Sequence, residues 1–180
     1  CLEIISLIFP QFKNISIFSK LNSFAKENFS KVDYIFLLSL MIIDDTDNAE
    51  YFIYKFNLSK KNQKRILYLN KFYSEKITTE TFLEKNLNKI LYYNGRDALM
   101  DIIYFKIFKS NKIDNRLIDL IKIFKEKKIP TIPSKAKVLM EKYHVPEGRE
   151  LGKKLRAIEE TWINNNFQIS EKEIEKIVKN

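Results

Sequence analysis

With 180 residues, 45% of them hydrophobic and 31% charged, the chain is long enough to bury a core in one or two small domains and has the composition of a soluble intracellular protein. Its single cysteine, Cys1, excludes an internal disulfide, and the cytoplasm is the expected compartment. The net charge of +9 is unevenly placed: residues 1–59 hold five Lys and Arg against seven Asp and Glu, so the positive excess lies further along, as a surface for a polyanion requires.

Three glycines, four prolines and no clean period-two alternation predict an all-α chain. A short helix over Leu2 to Phe9 ends at Pro10, and Ile15, Phe18, Leu21, Ala25 and Phe29 mark a second, amphipathic one. Asp33 to Ile43 predicts a third helix, buried on most sides and too short to span a membrane. After an acidic corner and a short helix from Ala49 to Phe56, Ser59 caps a helix that turns Ile66, Leu69 and Tyr73 inward. Lys60, Lys61, Lys64, Arg65 and Lys71 lie on its exposed side.

Thr78 or Thr79 is the expected cap of the next helix, with Phe82, Leu83, Leu87, Ile90 and Leu91 inside and a stop at Asn94-Gly95. Helices over Ala98 to Phe108 and Ile113 to Lys127 follow, the latter with Leu117, Leu120, Ile121 and Phe124 on one face. The two prolines of 129–133 cannot continue a helix, so this segment is the expected connector between a helical body, an irregular bundle over 1–128, and a small helical tail over 134–180. The tail predicts a lysine-rich helix over Ser134 to Tyr143, a second beginning near Pro146 and a third starting at Ser170, where Ser170 and Glu173 form a capping box. Within it Leu151, Leu155, Ile158 and Trp162 recur at helical spacing as one apolar stripe.

Two strings mimic catalytic motifs. Asp45-Thr46-Asp47 has the spacing of metal-holding carboxylates, but its place in a polar corner predicts a turn, with Asp47 capping the next helix. Gly95-Arg96-Asp97 resembles a phosphate-cradling turn yet lacks a preceding strand and a second glycine, so it reads as a helix stop and restart. His144, the only histidine, has no metal-ligand neighbours and reads as a turn residue, and Trp162 reads as core. The basic set is the better candidate site. Lys135, Lys137 and Lys142, then Arg149, Lys153, Lys154 and Arg156, lie across two adjacent helices, with Lys60, Lys61 and Lys64 as a further basic face. Gly148 leaves room for an anion at the start of its helix. The alternative is lysine that only solvates helix surfaces.

The string Pro146, Gly148, Leu151, Gly152, Leu155, Ile158, Glu159, Trp162, Ile163 and Phe167 resembles the end of bacterial class II tRNA nucleotidyltransferases, the CCA-adding enzymes and their poly(A) polymerase relatives. Leu7-Ile8-Phe9-Pro10, Asn57 to Asn62 and Tyr92-Tyr93-Asn94-Gly95 resemble earlier parts of the family more loosely, whereas residues 134–139 and His144 depart from its pattern. The resemblance implies a parent enzyme whose N-terminal catalytic head adds CCA to tRNA from CTP and ATP with magnesium. This chain, which starts on Cys1, is then expected to be an excised helical body and tail, inactive alone, needing no cofactor and holding tRNA by its backbone. A poly(A) polymerase would use the same region. A helical protein-interaction module without catalysis is the reading from another class.

Overall fold

The computed structural model describes residues 2–75, 79–129, 131–132 and 136–179, and no strand occurs among the described residues. The all-α expectation holds. The chain divides into two compact units, Cys1–Thr78 with Arg96–Glu126 and Thr79–Gly95 with Lys127–Asn180.

The first unit opens with α1 (Leu2–Ile8), which ends just before Pro10. The single helix expected from Ile15 to Phe29 is instead broken into a 3-10 turn at Ile15–Ser19, α2 (Ser23–Asn28) and a second 3-10 turn at Phe29–Lys31. Asn22 is the cause. Its buried Oδ1 accepts from the Ala25 N–H at 2.9 Å, starting α2, while its Nδ2 donates to the Ile107 and Ser110 carbonyls at 2.8 Å each. One side chain thus begins one helix and satisfies the C-terminal carbonyls of another.

α3 (Tyr34–Ile42) is capped by Asp33, whose side chain accepts from the Phe36 N–H, and it buries Ile35, Phe36, Leu40 and Ile42. α4 (Asn48–Phe56) ends on Asn57 in the left-handed conformation. α5 (Lys60–Ser74) is capped by Ser59 as expected and turns Ile66 and Leu69 into the core, with the Tyr73 hydroxyl donating to the Ile102 carbonyl at 2.6 Å.

Arg65 departs from the expected exposed side. It reaches inward from α5 to grip Asp33 and Asp101, the latter through two hydrogen bonds. Burial of Asp101, countered by Arg65, raises its pKa; at the more open Asp33 the Arg65 and Phe36 hydrogen bonds outweigh burial and the pKa falls. A guanidinium is suited to this place because its fork serves two carboxylates at once.

α6 (Glu84–Lys109) is broken at Gly95, whose φ of 85° and ψ of 173° lie outside the helical region. The stop and restart expected there therefore exist, and the division between units falls at the same glycine. The second arm buries Leu99, Ile102, Ile103, Phe105, Ile107 and Phe108, and α7 (Asn115–Glu126) buries the four residues expected of it.

In the second unit the expected cap at Thr78 lies outside the described residues, and Thr79 begins a 3-10 turn, Thr79–Phe82, ahead of α6. Phe82, Leu87 and Leu91 are buried, whereas Leu83 stays exposed. α8 (Ala136–Tyr143), α9 (Arg149–Asn164) and α10 (Glu171–Lys179) surround a core of Leu139, Val145, Leu151, Ile158, Ile174 and Val178. Pro146 is not inside α9, which starts three residues later after Gly148 turns the chain at φ 138°. The capping box forms as spaced: the Ser170 N–H donates to Glu173 at 2.8 Å and the Glu173 N–H to Ser170 Oγ at 3.3 Å.

Residues 79–95 pack with the C-terminal helices, so the second unit takes in more than the tail bounded by the prolines. Tyr92 is the reason: its ring meets Trp162 edge-on at 5.7 Å and its hydroxyl donates to Glu159 at 2.6 Å. Lys127 adds an ion pair to Glu84 at 2.7 Å.

Candidate nucleic-acid interface

The basic residues of the second unit are sorted by the pitch of α9. Of its apolar stripe, Leu151, Leu155 and Ile158 face the core shared with α8 and α10, and Trp162, only 2% exposed, packs against Tyr92 and Phe167. Arg149, Lys153 and Arg156 follow one another at spacings of four and three and are all exposed, which makes a basic stripe rising about 10 Å along the helix. Lys153 donates to Glu150 at 2.7 Å, which lowers the Glu150 pKa, while Arg149 and Arg156 have no ion pair among the described residues. An exposed pair of this kind is weak enough for phosphate to replace it.

Lys154 does not belong to this set. Its ammonium donates to the Val178 carbonyl at 2.6 Å and so closes the C-terminal end of α10, a structural duty that removes it from the surface row. Lys137 is exposed and 3.7 Å from Glu141, and Lys142 pairs with Glu171 while lying 5.6 Å over the Tyr143 ring. Lys135 lies outside the described residues. Gly148 stands at the cap position of α9, where it has no side chain to accept from the first turn.

In the first unit, Lys60, Lys61 and Lys64 are exposed at the start of α5 and have no ion pair among the described residues. Of the predicted basic residues, Arg149, Lys153 and Arg156 thus form one row on α9 and Lys60, Lys61 and Lys64 a second set on α5, while Lys137 and Lys142 stand on α8 and Lys154 belongs to neither set.

Two features are not evident from the sequence. An open cavity of about 640 Å³ brings His144 and Lys142 beside Lys172 and Lys179 of α10, because His144 takes a left-handed φ of 54° that turns the chain there. A groove between α4 and α5 is lined by Tyr54 and several polar side chains. Neither has a linear signature, since each joins residues of separate helices.

The acidic corner is held by local bonds. Asp44 is bonded to Thr46 at 2.6 Å and to Lys13 at 3.2 Å, Asp45 is exposed, and Asp47 stands at the cap position of α4 without a cap bond. Thr46 Oγ1 accepts from the Asn48 N–H at 3.2 Å instead, the hydroxyl bonding the backbone two residues further on. These carboxylates do not fit the paired set that magnesium-dependent nucleotidyl transfer requires, and among the described residues no three His, Cys, Asp or Glu are gathered to hold a metal. No helix among the described residues is long and apolar enough to cross a membrane.

No protein-family profile, curated protein or solved structure matches the chain.

Proposed function

We propose that this chain is the RNA-holding helical region of a tRNA nucleotidyltransferase of the CCA-adding class. The observation that carries the reading is the basic stripe of Arg149, Lys153 and Arg156, set opposite the apolar stripe of α9 within the string that resembles that family. Two arginines and a lysine in one row offer phosphates both forked and point-charge donors, so they position a backbone without reading its sequence. Transfer from CTP and ATP, with magnesium, belongs in this reading to a catalytic head joined in cis, and the chain alone binds without catalysis. The same features serve a poly(A) polymerase equally.

The test is a titration with bulk tRNA at several salt concentrations, beside a variant with Arg149, Lys153 and Arg156 changed to Ala. Lys154 is left in place because it holds α10. Binding is expected to weaken steeply with salt, and the variant's slope to be shallower by about 0.7 to 0.9 for each phosphate it no longer neutralises. Equal slopes would reject the reading.

One observation favours the protein-interaction alternative: α1 exposes Ile4, Leu7 and Ile8 together. A chain that binds no tRNA at low salt but associates through α1 would establish it.

A further inference from the structure

Packed against each other in the first unit, α4 and α5 leave an open groove of about 490 Å³. From α4 come Glu50, Ile53 and Tyr54, with Asn57 after them, at positions i, i+3, i+4 and i+7; from α5 come Gln63 and Leu67, at i and i+4. One face of each helix therefore forms a wall. Ile53 is buried and supplies an apolar floor, Leu67 is partly exposed beside it, and Tyr54 stands 87% exposed at the rim with no hydroxyl partner among the described residues. A tyrosine so open contributes little to folding, and its flat ring remains available for stacking.

The polar groups of the groove keep part of their hydrogen-bonding capacity unused. Glu50 accepts from Asn70 Nδ2 at 2.8 Å through Oε1, which leaves Oε2. Gln63 donates Nε2 to the Leu58 carbonyl at 2.7 Å, which leaves its amide oxygen. Both fixed groups are thus spare acceptors, and only the Asn57 amide can turn either way. Along α5, Lys60 and Lys64 stand one turn before Gln63 and Leu67, and Lys71 one turn after, all exposed and without an ion pair among the described residues.

We infer that this groove is a single-stranded RNA subsite that takes a nucleobase carrying an exocyclic amino group. The base lies on Tyr54 above Ile53, its amino group donates to Glu50 or Gln63, and the flanking phosphates meet Lys60 and Lys64. Adenine N6, cytosine N4 and guanine N2 each place such an amino group on the Watson–Crick edge; uracil has none, and its one N3–H donor lies between two carbonyls that the same acceptors repel, so it is disfavoured. The charge of the lysine row favours a nucleic acid over an apolar peptide helix, which the carboxylate would oppose. The inference rests on the RNA-binding reading but concerns the first unit, not α9.

Fluorescence anisotropy with short labelled oligo(A), oligo(C) and oligo(U) tests it, using the full chain, Tyr54→Ala and Tyr54→Trp, each checked for unchanged helical circular dichroism. Oligo(A) and oligo(C) are expected to bind several-fold tighter than oligo(U), with a loss of about tenfold for Tyr54→Ala and none for Tyr54→Trp. Oligomer binding indifferent to Tyr54→Ala, or equal for the three sequences, overturns the subsite. If tRNA binds with a steep salt slope while no oligomer binds, the subsite alone fails and the groove passes to a protein partner. If neither binds, the RNA reading falls with it.

Discussion

The phenol of Tyr92, donating to Glu159 Oε1 at 2.6 Å, shows what the residues of the family-like string do. Glu159 holds Tyr92, Trp162 is covered by the Tyr92 and Phe167 rings, and Leu151 and Ile158 fill the core. The string thus builds the unit, and the basic residues between its members face outward. The bond to Glu159, then burial, pushes the Tyr92 pKa from 10.0 up to about 12. Below pH 10 both folded and unfolded chains keep the phenol proton and the bond's stabilisation is complete; as pH rises through 10 toward 12 the unfolded chain gives up its proton first and that stabilisation declines. Tyr92→Phe is therefore expected to cost about 1 kcal/mol in urea denaturation at neutral pH. The gap from the unaltered chain should narrow at alkaline pH, and a gap of constant size would show that the bond is not its source. This pairing is hidden from sequence reading because Tyr92 and Glu159 are far apart along the chain. The spacing of Leu151 through Trp162, which is local, is fully legible.

α6 is broken at Gly95, the residue at which the division between the two units falls. A Cβ placed there would meet nothing within 4 Å, so any penalty for Gly95→Ala comes from the backbone, held at φ 85° where side-chain-bearing residues rarely go. The expected cost is about 1 to 3 kcal/mol. Gly152 is the contrasting case: it is helical, equally unobstructed, and its replacement by Ala should stabilise by about 0.5 to 1 kcal/mol. Opposite shifts in the midpoint of thermal unfolding would separate strain from propensity; two shifts of the same sign would not fit this account. Helices are legible where their signals are local, as with the Ser59 cap, the Ser170–Glu173 box and the face of α7. They are misread where a polar side chain overrules an apolar pattern. Asn22 breaks the stripe of residues 15–29 for the sake of carbonyls more than 80 residues away, and Arg65 leaves a basic face for Asp101. The same rule applies to the candidate interface, where the charge of Lys154 is visible in the sequence and its carbonyl partner in α10 is not.

The prolines near 130 suggest a tail that folds by itself, but the packing of Trp162 argues for a larger unit. α8, α9 and α10 do share a core of their own, yet Trp162, Phe167 and Glu159 face outward from it toward Tyr92, and Asn166 accepts from buried Asn88 at 3.1 Å. Removing residues 79–95 would strip the cover from the largest fully buried side chain among the described residues. A three-helix piece of this size is already near the lower limit for an independent core, so the loss should be felt throughout it. Trp162 is the only tryptophan and reports on this directly. A fragment of residues 134–180 is expected to keep some helix by far-ultraviolet circular dichroism, but to show red-shifted tryptophan emission and a broad melt. A fragment of residues 79–180 should restore the blue-shifted emission of the full chain, because it returns the Tyr92 ring and the Glu159 bond. Equal emission maxima for the two fragments would mean that Trp162 is covered by the C-terminal helices alone. In that case the unit that displays Arg149, Lys153 and Arg156 would be smaller than its packing indicates.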